Sequence, residues 1–495
     1  MAETKIKFST FIGSSNTQRS SRFDSERTVN MYLEGIPSDM SANGKDDNTL
    51  TLIGTPGLKL LAQVGLGPIR AVYSVSLSNA VYVVSGANIY KFDSTLLNPT
   101  LVGTMLTSNG FVSIADNGAS AGQIVFVDGS YGYSSNLVGT PVLTQITSVN
   151  FYPASTVSFQ DGYFIFCQTG TSYFFISDLY SVNFLALNVA NKSGDSDIIV
   201  ATITNNRILY LLGQNTIETW WDQGASGSTP FVRQDGQFSQ TGCLAVGTVL
   251  RLSNTFLFLG SNPQGGAVVY IMQNAQPVRI STNAVEFSIQ NASILGQIST
   301  ATAYGWQVEG HYFYALNVPG LNTTWLYDMS NGAWCEQQSN VNGTIGRHLG
   351  SCHTFYLGNH IIGDYQSNRV YTYDWNTYTD NGNPIMRIRQ SPHVAKSLNR
   401  IFYSMLELDI EPGVGIINGT LDQMNPTITL EISNDGSKTF GNPISVAMGK
   451  TGNYFNRVRF NRLGSSRDRV FRVSCSSPVK FNLLSAQLCI ELGTS

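Results

Sequence analysis

Between residues 71 and 385 one pattern of apolar and polar positions recurs seven times: an apolar strand, a tight Gly/Asn/Asp turn, a second strand ending in aromatics, and a polar loop. The units start near residues 71, 110, 155, 198, 242, 301 and 346, at spacings of 39, 45, 43, 44, 59 and 45 residues. That period predicts propeller blades. The second halves carry the pattern best, from VYVVSGANIYKFD (81–93) and IVFVDGSYGYSS (124–135) to YFYALNVPGLNTTWLYD (312–328) and IIGDYQSNRVYTYD (361–374). Each is a hairpin with a Gly-bearing turn, where Gly supplies the positive φ such turns need. Several close on Asp, at Asp93, Asp178, Asp222, Asp328 and Asp374. Asp ends strands because its carboxylate accepts from nearby backbone amides. One hairpin cannot bury its own apolar face, whereas sheets stacked radially around an axis can.

The chain therefore reads as all-β: a β-propeller of six or seven blades followed by a C-terminal antiparallel β-sandwich-like domain. The blade number is open because the ring can close with a late strand or with the N-terminal arm, and the 59-residue spacing holds an insertion. Three regions are expected. Residues 1–60 are polar, Ser-rich and interrupted by SDMSANGKDDNT, which predicts an extended arm and surface loop ordered only on assembly. Deleting residues 1–25 should then leave the propeller's melting temperature unchanged. Residues 61–385 form the propeller. Residues 386–495 change to longer alternating runs such as RIFYSMLELDI and TITLEIS, the signature of a sandwich with one polar face.

Composition agrees, with 11% aromatic residues, 12% charged residues and 47 Gly in 495. The net charge of −3 gives no overall steering toward nucleic acid. Its distribution does more. Residues 386–495 hold 13 Lys/Arg against 8 Asp/Glu, leaving 16 against 24 in residues 1–385. The C-terminal body is basic and the propeller acidic. Cys167, Cys243, Cys335, Cys352, Cys475 and Cys489 are scattered without a C-x-x-C pair, so reduced buried thiols are expected. The opening MAETKIKFSTFIGSS has no signal-like apolar stretch, and no run of 18 apolar residues predicts a membrane span.

Candidate chemistry is sparse. His348, Cys352, His353, His360 and Asp364 form the densest polar cluster, but on a strand His348 and Cys352 share one face while His353 takes the other. Zinc needs about four converging ligands at a recognisable spacing. Glu218, Trp220 and Trp221 form an aromatic-acid group of the kind that grips a sugar, and SNDGSKTF (433–440) resembles the Asp-box turn of sialidases. The match is incomplete: Ser437 stands where the box has Gly, Phe440 where it has Trp, and the segment occurs once, outside the propeller. No pair of carboxylates, P-loop or nucleophile elbow supports an enzyme. No catalytic, metal or cofactor residue is assigned.

The C-terminal body carries Arg457, Arg459, Arg462, Arg467, Arg469 and Arg472, interleaved with Phe455, Phe460 and Phe471. Alternation with Val458 and Phe460 puts Arg457 and Arg459 on one face of a strand. Arg457, Arg459, Arg462, Arg467 and Arg472 are the candidate partner interface, a protein surface in preference to nucleic acid because the whole chain is not basic.

The order of landmarks resembles a known family. RTVNMYLE (27–34) is followed by TPGLKLL (55–61), the first blade, TIETWWD (216–222), the Arg-rich RVRFNRLGSSRDRVFRVS and SSPVKFNLLSAQLCIEL (476–492). This succession is similar to the packaged-DNA stabilisation, or tail nozzle, proteins of short-tailed bacteriophages. The resemblance implies a structural virion protein of the tail, made in the host bacterial cytoplasm and without enzyme activity or cofactor. It implies a hexamer below the portal, bound to a head-to-tail adaptor ring above, to tail fibres or tailspikes and to a tail needle. The resemblance further implies that packaged DNA is retained and that duplex DNA passes through the lumen without sequence recognition. The alternative is a propeller that binds or hydrolyses host-surface glycan.

Overall fold

The second strand of each repeat is apolar on both faces because it is sandwiched between neighbouring blades, and such strands read as continuous rather than alternating runs. Ala80–Ser85 is buried at every position, and the apolar runs of Gln123–Val127, Tyr163–Gln168 and Ile208–Gly213 are likewise enclosed. Burying each Val, Leu, Ile or Phe contributes about 1.5–3 kcal/mol. The computed structural model describes residues 4–35, 50–118, 122–195, 197–224, 229–261, 265–293, 297–397 and 399–493. The surface loop expected at SDMSANGKDDNT lies outside the described residues.

Seven blades surround one axis. Blade 1 runs from the inner strand Ile69–Val75 through Ala80–Ser85 and Asn88–Phe92 to the outer strand Thr100–Thr104. The inner strands of blades 2, 3, 4, 6 and 7 are Ser113–Asp116, Ala154–Gln160, Ile199–Asn205, Thr302–Val308 and Gly350–Tyr356. In blade 5 the inner strand is broken by the short helical turn Val246–Thr248, and Gly242–Cys243 and Leu250–Leu252 both pair with Thr255–Ser261. The 59-residue spacing contains the helix Asn283–Ser293, whose Val285, Ile289 and Ala292 face the core between blades 5 and 6. Blade 7 takes its outer strand from the start of the chain: Gly57–Gln63 pairs antiparallel with Arg369–Asp374. That closure makes the number seven.

The C-terminal body is a sandwich, and the N-terminal segment is part of it. One sheet contains Met31–Gly35, Leu50–Gly54, Asn482–Leu492, Ile401–Ile410 and Val458–Ser466, with Thr4–Lys7 also paired to Asn482–Leu492. In the other, Ser25–Val29 pairs with Arg387–Gln390 on one side and meets the outer strand of blade 6, Ala333–Val341, on the other. Phe8, Phe11, Met31 and Leu52 enter the core with Leu406, Phe460, Phe471 and Leu483. Where the polar pattern predicts an extended arm, residues 4–35 supply strands to both sheets. Thr4–Lys7 and Ser25–Val29 are short strands with partners hundreds of residues away, a relation that local pattern cannot carry.

Arg389 holds this arrangement together. Its fully buried guanidinium donates to the carbonyls of Thr10, Phe11 and Ser14, to the Thr28 hydroxyl and to the Glu26 carboxylate at 2.9 Å. Truncation of residues 1–25 removes most of those acceptors and leaves a buried cation, so the deletion is expected to lower the melting temperature of the C-terminal body in a thermal scan. An unchanged melt would contradict this account.

Candidate functional site

Adjacent inner strands splay too far apart for a continuous backbone ladder, and small hydroxyls bridge them. Thr354 Oγ1 donates to Ser74 Oγ at 2.9 Å while accepting from the Ser74 amide. Ser113 and Val157, Ser155 and Val200, and Thr156 and Thr202 make the same joint between blades 2, 3 and 4. Ser351 reaches the Ile69 carbonyl at 3.2 Å and so joins blade 7 to blade 1. Each bond satisfies a polar group beside the axis and fixes one blade against the next.

At the end where the inner strands begin, a cavity of about 1000 Å³ opens among blades 5, 6, 7, 1 and 2. Tyr73, Tyr304 and Tyr365 line it with Arg70 and Arg347, and among the described residues no carboxylate does. Arg70 is spent on the carbonyls of Gly86, Thr107, Asn109 and Gly110, and Arg347 lies 3.5 Å over the Tyr365 ring. Such a mouth can bind, but no acid–base pair stands in it for hydrolysis.

The opposite face collects the acids. In an antiparallel blade the ends of the inner and third strands emerge together. Asp161 and Glu309 follow inner strands, and Asp93, Asp178, Asp222 and Asp374 end third strands. The expected turn chemistry is present: Asp93 accepts from the Thr95 amide, Asp222 from Gly224, Asp328 from Ser330 and Asp374 from Asn376. Arg207 and Lys59 answer two of these acids, Asp161 at 2.9 Å and Asp374 at 4.0 Å.

The histidine cluster does not converge. His348 Nδ1 is bonded to Tyr304 Oη at 2.7 Å, whereas His353 Nε2 meets His360 Nδ1 at 3.0 Å. Burial, then the Arg347 guanidinium, pushes the His348 imidazole down to about 3, and burial with the neighbouring His360 does the same to His353. Asp364 is occupied by Ser367, Tyr371 and the Gln366 amide. Among the described residues no three His, Cys, Asp or Glu side chains stand close enough to share a metal ion. Burial pushes the Cys167, Cys243, Cys335 and Cys352 thiols up to about 12.

Glu218 is not a sugar grip. Its fully buried carboxylate accepts from the Gly194 amide at 2.6 Å and from Trp220 Nε1 at 3.2 Å, and Trp220 packs in the core beside Phe174. Residues i and i+2 share a face of a strand, and here that face points inward.

The Asp-box-like turn is real as geometry. Asp435 accepts from the Lys438 and Thr439 amides and the Ser433 and Thr439 hydroxyls, which hold its carboxyl well below the usual carboxylate range. Ser437 takes φ +66°, the conformation for which the box uses Gly, and its hydroxyl bonds Ser25 at 2.6 Å. Replacing Asp435 with Ala is expected to speed hydrogen exchange at the Lys438 and Thr439 amides while other protected amides keep their rates. Unchanged exchange at those two amides would mean the backbone alone holds the turn.

The arginine run divides. Val458 and Phe460 are buried, as the alternation requires, and Arg459 shares Glu407 with Lys5 and with Arg457, at 3.2, 2.8 and 4.0 Å respectively. Arg462 and Arg467 are exposed, while Arg472 bonds Glu431 at 2.9 Å and stacks over Phe440. Arg469 is buried, bonded to the Leu463 carbonyl and lying over the Tyr403 ring.

A family model described as bacteriophage P22 Gp10, beta-propeller, matches residues 12–378, and one described as bacteriophage P22 Gp10, beta-sandwich, matches residues 386–491. The chain belongs to the bacteriophage P22 Gp10 family. Membership makes it a structural component of the phage tail, built into the virion with other phage proteins. No curated protein matches it. Similar solved structures include the Pan2 WD40 domain of Neurospora crassa, at 9% identity over 62% of this chain and 88% of that one, with TM-score 0.40. The Cps50 (Swd1) propeller domain of Myceliophteria thermophila has 7% identity over 64% and 98%, with TM-score 0.41. A streptogramin B lyase has 10% identity over 64% and 97%, with TM-score 0.40. For a Gp10 family member the two-part match spans both bodies described above, including the N-terminal residues 12–35 that complete the sandwich.

Proposed function

We propose that this Gp10 family chain forms a hexameric tube of the tail below the portal and its adaptor ring, retains the packaged DNA and provides the channel for its ejection. The observation that carries the reading is the two-part family match joined to the sorting of charge, acids at the strand ends of one propeller face and a basic C-terminal body. A lumen lined by that acidic face repels phosphate and lets duplex DNA slide without sequence recognition. A cationic lumen would hold the DNA through counterion release. The surfaces carrying Arg457 and Arg459, Arg462 and Arg467, and, on the other sheet, Arg472 are then turned toward neighbouring tail proteins, the adaptor ring, the fibres or tailspikes and the needle.

The test is the mass of the purified protein with and without a candidate adaptor ring, followed by a map of the assembly. A defined six-copy species on the ring supports the tube; Arg457, Arg459 and Arg462 in the lumen would overturn the assignment of faces. The propeller mouth favours one second reading, glycan binding, because three tyrosines and two arginines line a cavity of about 1000 Å³. A protein that ignores the ring but retains host glycan on a column would move the assignment there.

A further inference from the structure

The propeller mouth holds a cation with no answering acid. Arg347 ends the strand Thr344–Arg347 and lies over the Tyr365 ring, and among the described residues no carboxylate stands within ion-pair distance of it. Asp364, Asp128 and Asp116 are the acids close enough to act on Arg347, Arg70 and Tyr73 respectively, and each is turned to other donors. Asp364 accepts from the Gln366 and Ser367 amides and the Ser367 and Tyr371 hydroxyls. Asp128 accepts from the Ser130 and Tyr131 amides and the Thr107 hydroxyl, and Asp116 from the Gly118 amide and the Tyr73 hydroxyl. Burial pulls the Arg347 guanidinium below its ordinary value, with Tyr365, Tyr304 and Asp364 acting the other way. A partly desolvated cation without a carboxylate gains from an anion that arrives beside it.

Arg70 plays a different part. Its five N–H groups are all used, on the carbonyls of Gly86, Thr107, Asn109 and Gly110 and on the Thr107 hydroxyl, so it adds charge to the mouth and offers no free donor. The groups left free are polar and uncharged. The hydroxyls of Ser299, Thr302 and Thr344 and the carboxamides of Asn109 and Asn322 line the same cavity, and none of them bonds another group among the described residues. Asn322 is tied to the Arg347 strand: its carbonyl accepts from Gln338 Nε2 at 3.2 Å, and Gln338 is the register partner of Arg347. A guanidinium presents a planar fork that matches two oxygens of a carboxylate or phosphate, and hydroxyls and carboxamides match the hydroxyls of a sugar ring. A volume of about 1000 Å³ suits a ligand of that kind better than a lone ion.

We infer that the propeller mouth binds a saccharide bearing an oxyanion, carboxylate or phosphate, with Arg347 anchoring the oxyanion and Ser299, Thr302, Thr344, Asn109 and Asn322 around the sugar hydroxyls. The inference rests on the second reading of the mouth given above, to which it adds a ligand class. It does not rest on the tube. The mouth opens opposite the acidic face, so a bound ligand leaves the proposed lumen free. The site binds and does not cleave, since no acid–base pair stands in it.

Isothermal titration of the full chain compares D-glucuronate, glucose 6-phosphate, glucose, acetate and inorganic phosphate. At least one of the two anionic sugars is expected to bind about tenfold or more tighter than glucose and than the bare anion of its own class, the size of effect a charge-assisted hydrogen bond gives. Which of the two binds names the oxyanion. R347Q should abolish that preference while its thermal melt stays near that of the natural chain. N322D puts a carboxylate at an exposed position of the same cavity; it should weaken the anionic sugars and leave glucose unchanged, and it serves as the test should R347Q fail to fold. R462Q removes an equal charge from an exposed site on the C-terminal body and should bind like the natural chain. Glucose bound as tightly as either anionic sugar would overturn the anionic class and keep the mouth as a glycan site, whereas no binding of any sugar would overturn both. Bare acetate or phosphate bound as tightly as the sugars would overturn the saccharide. Full affinity in N322D, or a loss in R462Q equal to that in R347Q, would overturn the site.

Discussion

Replacing Arg389 with methionine is expected to lower the stability of the C-terminal body by about 3–5 kcal/mol, the range for removing one partner of a buried, hydrogen-bonded ion pair. The side chain has no exposed surface, and its loss strands the Glu26 carboxylate and the carbonyls of Thr10, Phe11 and Ser14. Lysine should not rescue it, because an ammonium cannot span acceptors that the planar guanidinium reaches together. Urea unfolding checks the size of the loss, and limited proteolysis checks its place, since residues 10–28 should become the first to be cut. A midpoint equal to that of the natural chain, or full recovery with lysine, would show that the N-terminal strands are held by the apolar core alone.

Lys192→Met should be comparably damaging in blade 4. Lys192 and Asp197 are both fully buried at 3.1 Å, and Lys192 also donates to Thr216. Burial raises the Asp197 carboxyl, but the Asn215 amide, the Lys192 ammonium and the Thr216 amide outweigh it and hold the group below the usual range. A depressed carboxyl contributes stability that is present above its unfolded value, about 3.9, and is lost as pH falls through the folded one. The methionine variant leaves the carboxylate without its cation, so the deficit of about 3–5 kcal/mol at pH 7 should shrink below about pH 4 as Asp197 takes up a proton. A deficit independent of pH would assign the loss to packing alone.

What could be read from the sequence was local. The hairpins, their Gly turns and the Asp residues that end them were visible because each is decided within about fifteen residues, and seven copies reinforced one another. The alternation of Val458 and Phe460 with the flanking arginines was visible for the same reason. Ser25–Val29 was not, because its partners are Arg387–Gln390 and Ala333–Val341. Arg389 was counted with the basic body although it is buried, since nothing in RIRQ distinguishes an inward cation from a solvated one. Glu218 looked like a ligand group next to two tryptophans, and only the packing of blade 4 shows that the carboxylate serves the Trp220 indole and the Gly194 amide. The Asp-box likeness at Asp435 signalled a turn, and the structure has one there.

The pairing of Gly57–Gln63 with Arg369–Asp374, and of Thr4–Lys7 with Asn482–Leu492, sets the order in which the chain can fold. A ribosome adding about 5–20 residues per second brings the partner of Gly57–Gln63 out roughly 15–60 s after that strand itself. Through that interval the seventh blade is incomplete, and Thr4–Lys7 and Ser25–Val29 lack the long-range partners that the end of the chain supplies, while Met31–Gly35 can already pair with Leu50–Gly54. Exposed apolar edges aggregate on that timescale. Phe8, Phe11, Met31 and Leu52, made first, reach their core partners Leu406, Phe460, Phe471 and Leu483 only when the last quarter of the chain has been made.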